Sequence, residues 1–237
     1  MMHRGAEIVA WVGGLLFVIA LGFFLYAYLV TYGETPPASA QVRPSTALQT
    51  NLALFSLFAA HHSLLARARF KAWIARLVPP DLERSTYVWV ASLLFVLTCA
   101  AWRRTGVETY SVGGVAAGIL FVVQASGVLL IVQSVRRLDH LAIAGIRQVQ
   151  PITGQSQAPL QIRGVYRIVR HPLYLGWMLF VFGAPHMTFD RLSFAAISSA
   201  YLLVAIPWEE RSLLREFGAQ YETYRRAVRW RVVPWIY

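Results

Sequence analysis

Six apolar stretches, at about 8–32, 46–65, 86–102, 110–134, 172–189 and 191–208, constrain this chain more than any other feature. Each approaches the roughly 20 residues that an α-helix needs to cross the hydrocarbon core of a bilayer. Within that core every backbone N–H and C=O has to be satisfied inside the segment, so such runs read as helices. The expected fold is all-α: a polytopic membrane helix bundle of five to six transmembrane segments. Composition agrees, since 57% of the 237 residues are hydrophobic and only 14% charged, against about 45–50% and 25% in a soluble domain. So little polarity excludes intrinsic disorder, and a chain whose only cysteine is Cys99 has no disulfide framework.

The formal charge of +11 raises the question of nucleic acid. A nucleic-acid surface gathers its Lys and Arg on one exposed module; here they fall in the gaps between apolar runs, which excludes that partner and instead sets orientation. With the N-terminus inside, 18 of the 22 basic residues lie on the inner face and only Arg43, Arg103, Arg104 and Arg191 outside. Both termini are therefore expected in the cytoplasm. The first run is too long for a signal peptide and no small-residue cleavage site follows it. Asp190 and Arg191 alone separate the last two runs, which predicts a tight helical hairpin, spanning or re-entrant. From Glu210 onward, Leu213, Leu214, Phe217, Tyr221, Tyr224 and Val228 recur at helical spacing, which predicts a cytoplasmic amphipathic helix.

The chemistry concentrates in Tyr166-Arg167-Ile168-Val169-Arg170-His171-Pro172-Leu173-Tyr174-Leu175-Gly176. Pro172 suits the first turn of a helix and biases His171 toward extended backbone. The helix then opens at the inner face with unpaired N–H groups and a positive dipole end, beside Arg170 and His171, as a carboxylate or phosphate site would. Gly176, one turn in, lets a ligand or another helix approach. The bland reading is positive-inside anchoring by Arg170 and His171 with an interfacial Tyr174. Glu209 and Glu210 follow Pro207, which is expected to break or kink the sixth helix, and Trp208. Paired carboxylates at a membrane boundary are costly unless wet, paired or used. Because the fifth helix starts inside and the sixth ends inside, the hairpin brings Arg170, His171 and Tyr174 near Glu209 and Glu210.

His61 and His62, near the inner end of the second helix, are candidates for a base or a substrate contact, or else for head-group and helix–helix bonding. No metal is expected, since His3, His140 and His186 lack ligand spacing with them.

The run Gly164-Val165-Tyr166-Arg167-Ile168-Val169-Arg170-His171-Pro172-Leu173-Tyr174-Leu175-Gly176-Trp177, the hairpin, Glu209-Glu210 and the tail with Phe217-Gly218, Tyr221 and Tyr224 together resemble the isoprenylcysteine carboxyl methyltransferase superfamily. Upstream, His62-Ser63-Leu64, Arg69 to Trp73, Glu83 to Val88, Asp139-His140-Leu141 and Gly145 to Gln148 resemble its bacterial methanethiol S-methyltransferases. The resemblance implies methyl transfer from S-adenosylmethionine to a small thiol, giving dimethyl sulfide from methanethiol, in a bacterial inner membrane with the site facing the cytoplasm. It implies a four-helix N-terminal region, 1–135, and a cofactor-binding catalytic region, 136–237, in one integral membrane domain in contact with lipid. Tyr166, Arg170, His171, Pro172, Tyr174, Gly176, Glu209 and Glu210 would form the cofactor site. Arg170, His171, His61 and His62 are the candidates to ionise the thiol. The rival readings are the same fold acting on an isoprenylcysteine carboxylate or a lipid amine, and a non-enzymatic membrane accessory protein.

Overall fold

The computed structural model describes residues 2–64, 76, 78–136, 138–149 and 159–237. The stretch 148–161 and the Arg69 to Trp73 motif lie largely or wholly outside the described residues. The chain divides into two compact units, Met1–Val107 with His140–Ser156, and Glu108–Asp139 with Gln157–Tyr237.

The first unit is built on α1 (Met2–Leu29), α2 (Pro44–Leu64) and α3 (Glu83–Ala100). Tyr28 and Tyr32 are fully buried between them. Tyr32 stacks on Trp102 with ring centroids 5.8 Å apart and donates its hydroxyl hydrogen to the Cys99 carbonyl at 2.9 Å. Buried Asn51 pairs in both directions with the Arg103 backbone, at 3.0 and 2.7 Å, so its amide is satisfied in an apolar setting.

The second unit contains α4 (Gly114–Val135), α5 (Pro172–Phe182), α6 (Phe189–Phe217) and α7 (Ala219–Ala227). A small antiparallel ladder, β1 (Glu108–Ser111) with β2 (His186–Thr188), closes the end opposite the start of α5. Helices α4 and α5 cross at glycines. A Cβ on Gly176 would lie 2.8 Å from the Gly127 carbonyl oxygen, and one on Gly183 would lie 2.8 Å from the Gln124 nitrogen. This is the small-residue contact by which membrane helices bring their backbones together.

Among the described residues, four helical segments are long and apolar enough to cross a membrane: Arg4–Gly33, Pro80–Ala100, Gly114–Val135 and Phe189–Phe217. Their outer faces leave Ile8, Val115, Ile119 and Val122 more than half exposed, as lipid-facing side chains are. The protein is an all-α polytopic membrane protein.

The hairpin departs from expectation in three ways. Helix α5 stops at Phe182 after 11 residues, a length of about 16 Å, roughly half a bilayer core. The 29-residue α6 is long enough to cross alone. Asp190 and Arg191 are not the turn between the arms but lie buried in the first turn of α6. Thr188 caps that helix, its hydroxyl accepting from the Arg191 N–H at 3.2 Å, and the acidic Asp190 complements the positive helix end. Nor does Pro207 end the helix, which runs on to Phe217; the missing N–H costs one ladder bond, a loss that a long helix tolerates. The expected amphipathic tail helix is thus divided. Its first part is the end of α6, and after Gly218, at φ +53°, α7 carries Tyr221 and Tyr224 inward.

Candidate functional site

Pro172 occupies the first turn of α5 and His171 caps it at φ −122°, as the His-Pro step demands. The two residues before the helix are held through their backbones. The Arg170 N–H donates to the Trp230 carbonyl at 2.9 Å and the His171 N–H to the Arg231 carbonyl at 2.8 Å. The segment after α7 therefore runs alongside the Arg170-His171 step like a third strand of rope.

Side chains complete the lock. Arg170 Nε donates to Glu210 Oε1 at 2.7 Å, and its Nη1 donates to the carbonyls of Val228 and Arg229 at 2.7 and 2.9 Å. The pair is deeply buried, and a buried ion pair survives only with its remaining protons and lone pairs satisfied; Arg231 Nε, 3.6 Å from Glu210 Oε2, helps to do so. His171 stands between the two carboxylates, Nε2 3.4 Å from Glu210 Oε1 and Nδ1 3.6 Å from Glu209 Oε2. Its ring stacks on Tyr174 at 5.2 Å, and Tyr174 donates its hydroxyl hydrogen to Glu209 Oε2 at 2.5 Å.

These groups border a cavity of about 340 Å³ within the second unit, inside the ~300–1,000 Å³ range of small-molecule sites. Tyr166, Arg170, His171, Tyr174 and Glu209 supply its polar wall; Leu138, Leu160, Leu173 and Leu213 supply its apolar one. Burial raises the Tyr166 hydroxyl above its ordinary value, and the Glu209 charge adds to this. Tyr221 and Tyr224 are likewise raised, first by burial and then by negative or phenolic neighbours, with Arg170 opposing. All three stay neutral hydrogen-bonding phenols in the physiological range.

Most of the expected site residues converge here. Tyr166, Arg170, His171, Pro172, Tyr174 and Glu209 line the cavity. Glu210 is not a lining residue: it lies behind Arg170 and His171 and fixes them. Gly176 faces α4 and serves the helix crossing. His61 and His62 belong to the first unit, both packed on Tyr87; the Tyr87 hydroxyl is 2.8 Å from His62 Nδ1. Among the described residues no group of three or more His, Cys, Asp or Glu is arranged to hold a metal ion.

The cavity also uses residues not anticipated. Glu216 and Phe217 line it with Glu209 and Leu213; positions i, i+4, i+7 and i+8 form one face of a helix, a signal the sequence carries once α6 is known to continue. Tyr221 and Tyr224 line it from α7.

Compared with known proteins, residues 125–215 match the isoprenylcysteine carboxyl methyltransferase family. Methanethiol S-methyltransferase 2 of Bradyrhizobium diazoefficiens is 41% identical over 216 residues, covering 86% of this chain and 82% of the relative. The chain belongs to the isoprenylcysteine carboxyl methyltransferase family. The methanethiol S-methyltransferase of Mycobacterium tuberculosis is 35% identical, with 93% of this chain and 92% of the relative covered. A probable protein-S-isoprenylcysteine O-methyltransferase of Oryza sativa subsp. indica is 33% identical over 113 residues, 46% of this chain. No solved structure matches. This chain is accordingly an integral membrane methyltransferase, and the matched stretch contains α5 and all but the last two residues of α6, with Arg170, His171, Glu209 and Glu210.

Proposed function

We propose that this protein methylates a small thiol, converting methanethiol to dimethyl sulfide with S-adenosylmethionine as donor. The observation that carries the reading is one cavity at which an Arg-His helix start meets Glu209, with Glu210 fixing Arg170 and His171 from behind. The relatives aligned along most of the chain are methanethiol S-methyltransferases, which supplies the acceptor. Methanethiol has one carbon and one sulfur, so a cavity of about 340 Å³ is sized for the donor.

The residues present suit that donor. Glu209 is half open to the cavity and held by Tyr174, a fitting partner for an ammonium or a pair of ribose hydroxyls. The N-terminus of α5 offers a positive end to a carboxylate, and the leucine wall suits the apolar faces of a nucleoside. When bound, the donor supplies an activated methyl group on a sulfonium.

The chain's own contribution is alignment and the management of one proton. The leucines and Pro172 keep water away from the transfer, and the buried Arg170–Glu210 lock holds the α5 start rigid, which is what in-line displacement needs. The thiol sulfur takes the methyl carbon as the donor's sulfonium–methyl bond breaks, leaving a neutral thioether on the donor, and the thiol gives up its hydrogen. His171 accepts it at a ring nitrogen, and the resulting imidazolium lies between Glu209 and Glu210, which stabilise that charge. We place the cavity on the cytoplasmic side of a bacterial inner membrane, where the basic residues concentrate and where the donor is made.

The test is transfer of label from S-adenosylmethionine to methanethiol by purified protein in detergent, with Glu209→Gln and Tyr174→Phe as controls that leave the buried lock intact. Volatile labelled product from wild type, strongly reduced in both variants, supports the reading. Donor binding without volatile product, but with methylation of an isoprenylcysteine analogue, moves the acceptor to the other branch of the family. The absence of both binding and product in folded protein rejects the reading.

A further inference from the structure

Tyr221 is the cavity-lining side chain whose chemistry is unspent. The residue is 1% exposed, and its hydroxyl has no hydrogen-bond partner among the described residues. Tyr224, one turn further along α7, makes the contrast: it also lines the cavity, and its hydroxyl donates to the Tyr166 carbonyl at 2.7 Å. The Tyr221 ring needs no help from its oxygen to be housed, since it packs on Tyr224 at 5.9 Å and in a cluster with Val228, Leu213 and Phe217. A phenylalanine would fill the same space.

Taking a hydroxyl out of water without a new partner leaves its desolvation cost unreturned, and native proteins keep few such groups. Helix α7 nonetheless keeps this one on a residue that lines the cavity, within the electrostatic reach of Glu210 and Arg170. Burial and the Glu210 charge keep the phenol protonated, so it has a hydrogen to give.

We propose that Tyr221 is a binding residue for the methyl donor, its hydroxyl donating a hydrogen bond to an acceptor oxygen of the bound molecule, either the amino-acid carboxylate or a ribose hydroxyl. This rests on the donor reading given under Proposed function. The hydroxyl is then a pre-placed donor: its cost is carried by the free protein and is returned only when the ligand arrives.

The experiment measures two quantities on wild type, Tyr221→Phe and Tyr224→Phe in detergent. One is the melting temperature without ligand; the other is affinity for S-adenosylhomocysteine and for methylthioadenosine, which lacks the amino-acid end. Tyr221→Phe is expected to keep or raise the ligand-free melting temperature while weakening S-adenosylhomocysteine about tenfold. Tyr224→Phe is expected to lower the melting temperature, because it breaks the bond to Tyr166. Loss for S-adenosylhomocysteine alone assigns the carboxylate as acceptor; equal loss for both ligands assigns the ribose. Unchanged affinity in Tyr221→Phe, or a ligand-free melting temperature that falls as far as that of Tyr224→Phe, overturns the proposal. If wild type binds neither ligand, the donor reading itself is wrong, an outcome distinct from a defect confined to the variant.

Discussion

Glu210→Gln isolates what a buried carboxylate does for this site. The side chains of Arg170 and Glu210 are each 6% exposed and 2.7 Å apart, and the same carboxylate faces His171 at 3.4 Å and Arg231 at 3.6 Å. Removing one partner of a buried pair strands the other, at about 3–5 kcal/mol in an otherwise apolar setting. Here two backbone carbonyls also hold the guanidinium, and glutamine keeps an acceptor oxygen. The expected loss is therefore nearer the about 1.5–3 kcal/mol of a hydrogen bond to a charged group. About 2 kcal/mol corresponds to a roughly 30-fold shift in the folding equilibrium. Glu209→Gln is the matched control: its side chain is 43% exposed, so its stability should change by less than about 0.5 kcal/mol. Reversible unfolding in mixed micelles reads the stability, and calorimetric binding of S-adenosylhomocysteine reads the site. Glu210→Gln should lose both, Glu209→Gln only binding. Replacing Arg170 and Glu210 together by methionine should recover most of the stability but none of the binding. Equal stability of the two glutamine variants would refute the view that the buried carboxylate organises the site.

Three further outcomes test other parts of the structure. In Gly127→Ala the new Cβ would lie 2.5 Å from the Phe180 nitrogen and 2.6 Å from the Gly176 oxygen; since both are backbone, the melting temperature should fall by an amount equivalent to about 1–3 kcal/mol. Gly118→Ala on the same helix meets nothing within 4 Å and should be neutral or stabilising. Ending the chain after Ala227 removes the carbonyls that receive Arg170 and His171; the protein should still enter the membrane, seen by alkaline extraction, but bind no donor. The raised hydroxyls of Tyr166, Tyr221 and Tyr224 mean that the folded state holds these protons more tightly than the unfolded chain. Their contribution is complete below the unfolded value near pH ~10 and is lost as pH rises toward the folded values. Melting temperatures should drop above pH ~10, less steeply in Tyr221→Phe.

The sequence was most legible where one residue forces the backbone. Pro172 sets the start of α5, and with it the meeting of Arg170, His171 and Tyr174 with Glu209. Apolar length identified the segments, but not their ends. Asp190 and Arg191 look like a solvent turn because they are charged, whereas burial with a capping Thr188 makes them a helix start. Pro207 looks like a stop, yet one proline removes one bond from a 29-residue helix, a loss that a long helix tolerates. The part left unread was the support behind the site. Carbonyls at Val228, Arg229, Trp230 and Arg231 receive Arg170 and His171, and a carbonyl acceptor has no side-chain signature. Glu210, placed with the ligand by its neighbour Glu209, turns out one helical step round, 5% exposed and facing the lock.

That support has a consequence in the time domain. Arg170 leaves the ribosome 58 residues before the first carbonyl that receives its guanidinium. At roughly 5–20 residues per second, its guanidinium waits about 3–12 seconds for that carbonyl, although Glu210 follows only 40 residues behind. Meanwhile α5 and the apolar part of α6 are already being handed to the bilayer. Integration and acquisition of the site are therefore separate events in the life of each molecule. A chain cut short before Val228 keeps its apolar helices and Glu210 but lacks the backbone carbonyls of Val228, Arg229, Trp230 and Arg231 that hold Arg170 and His171.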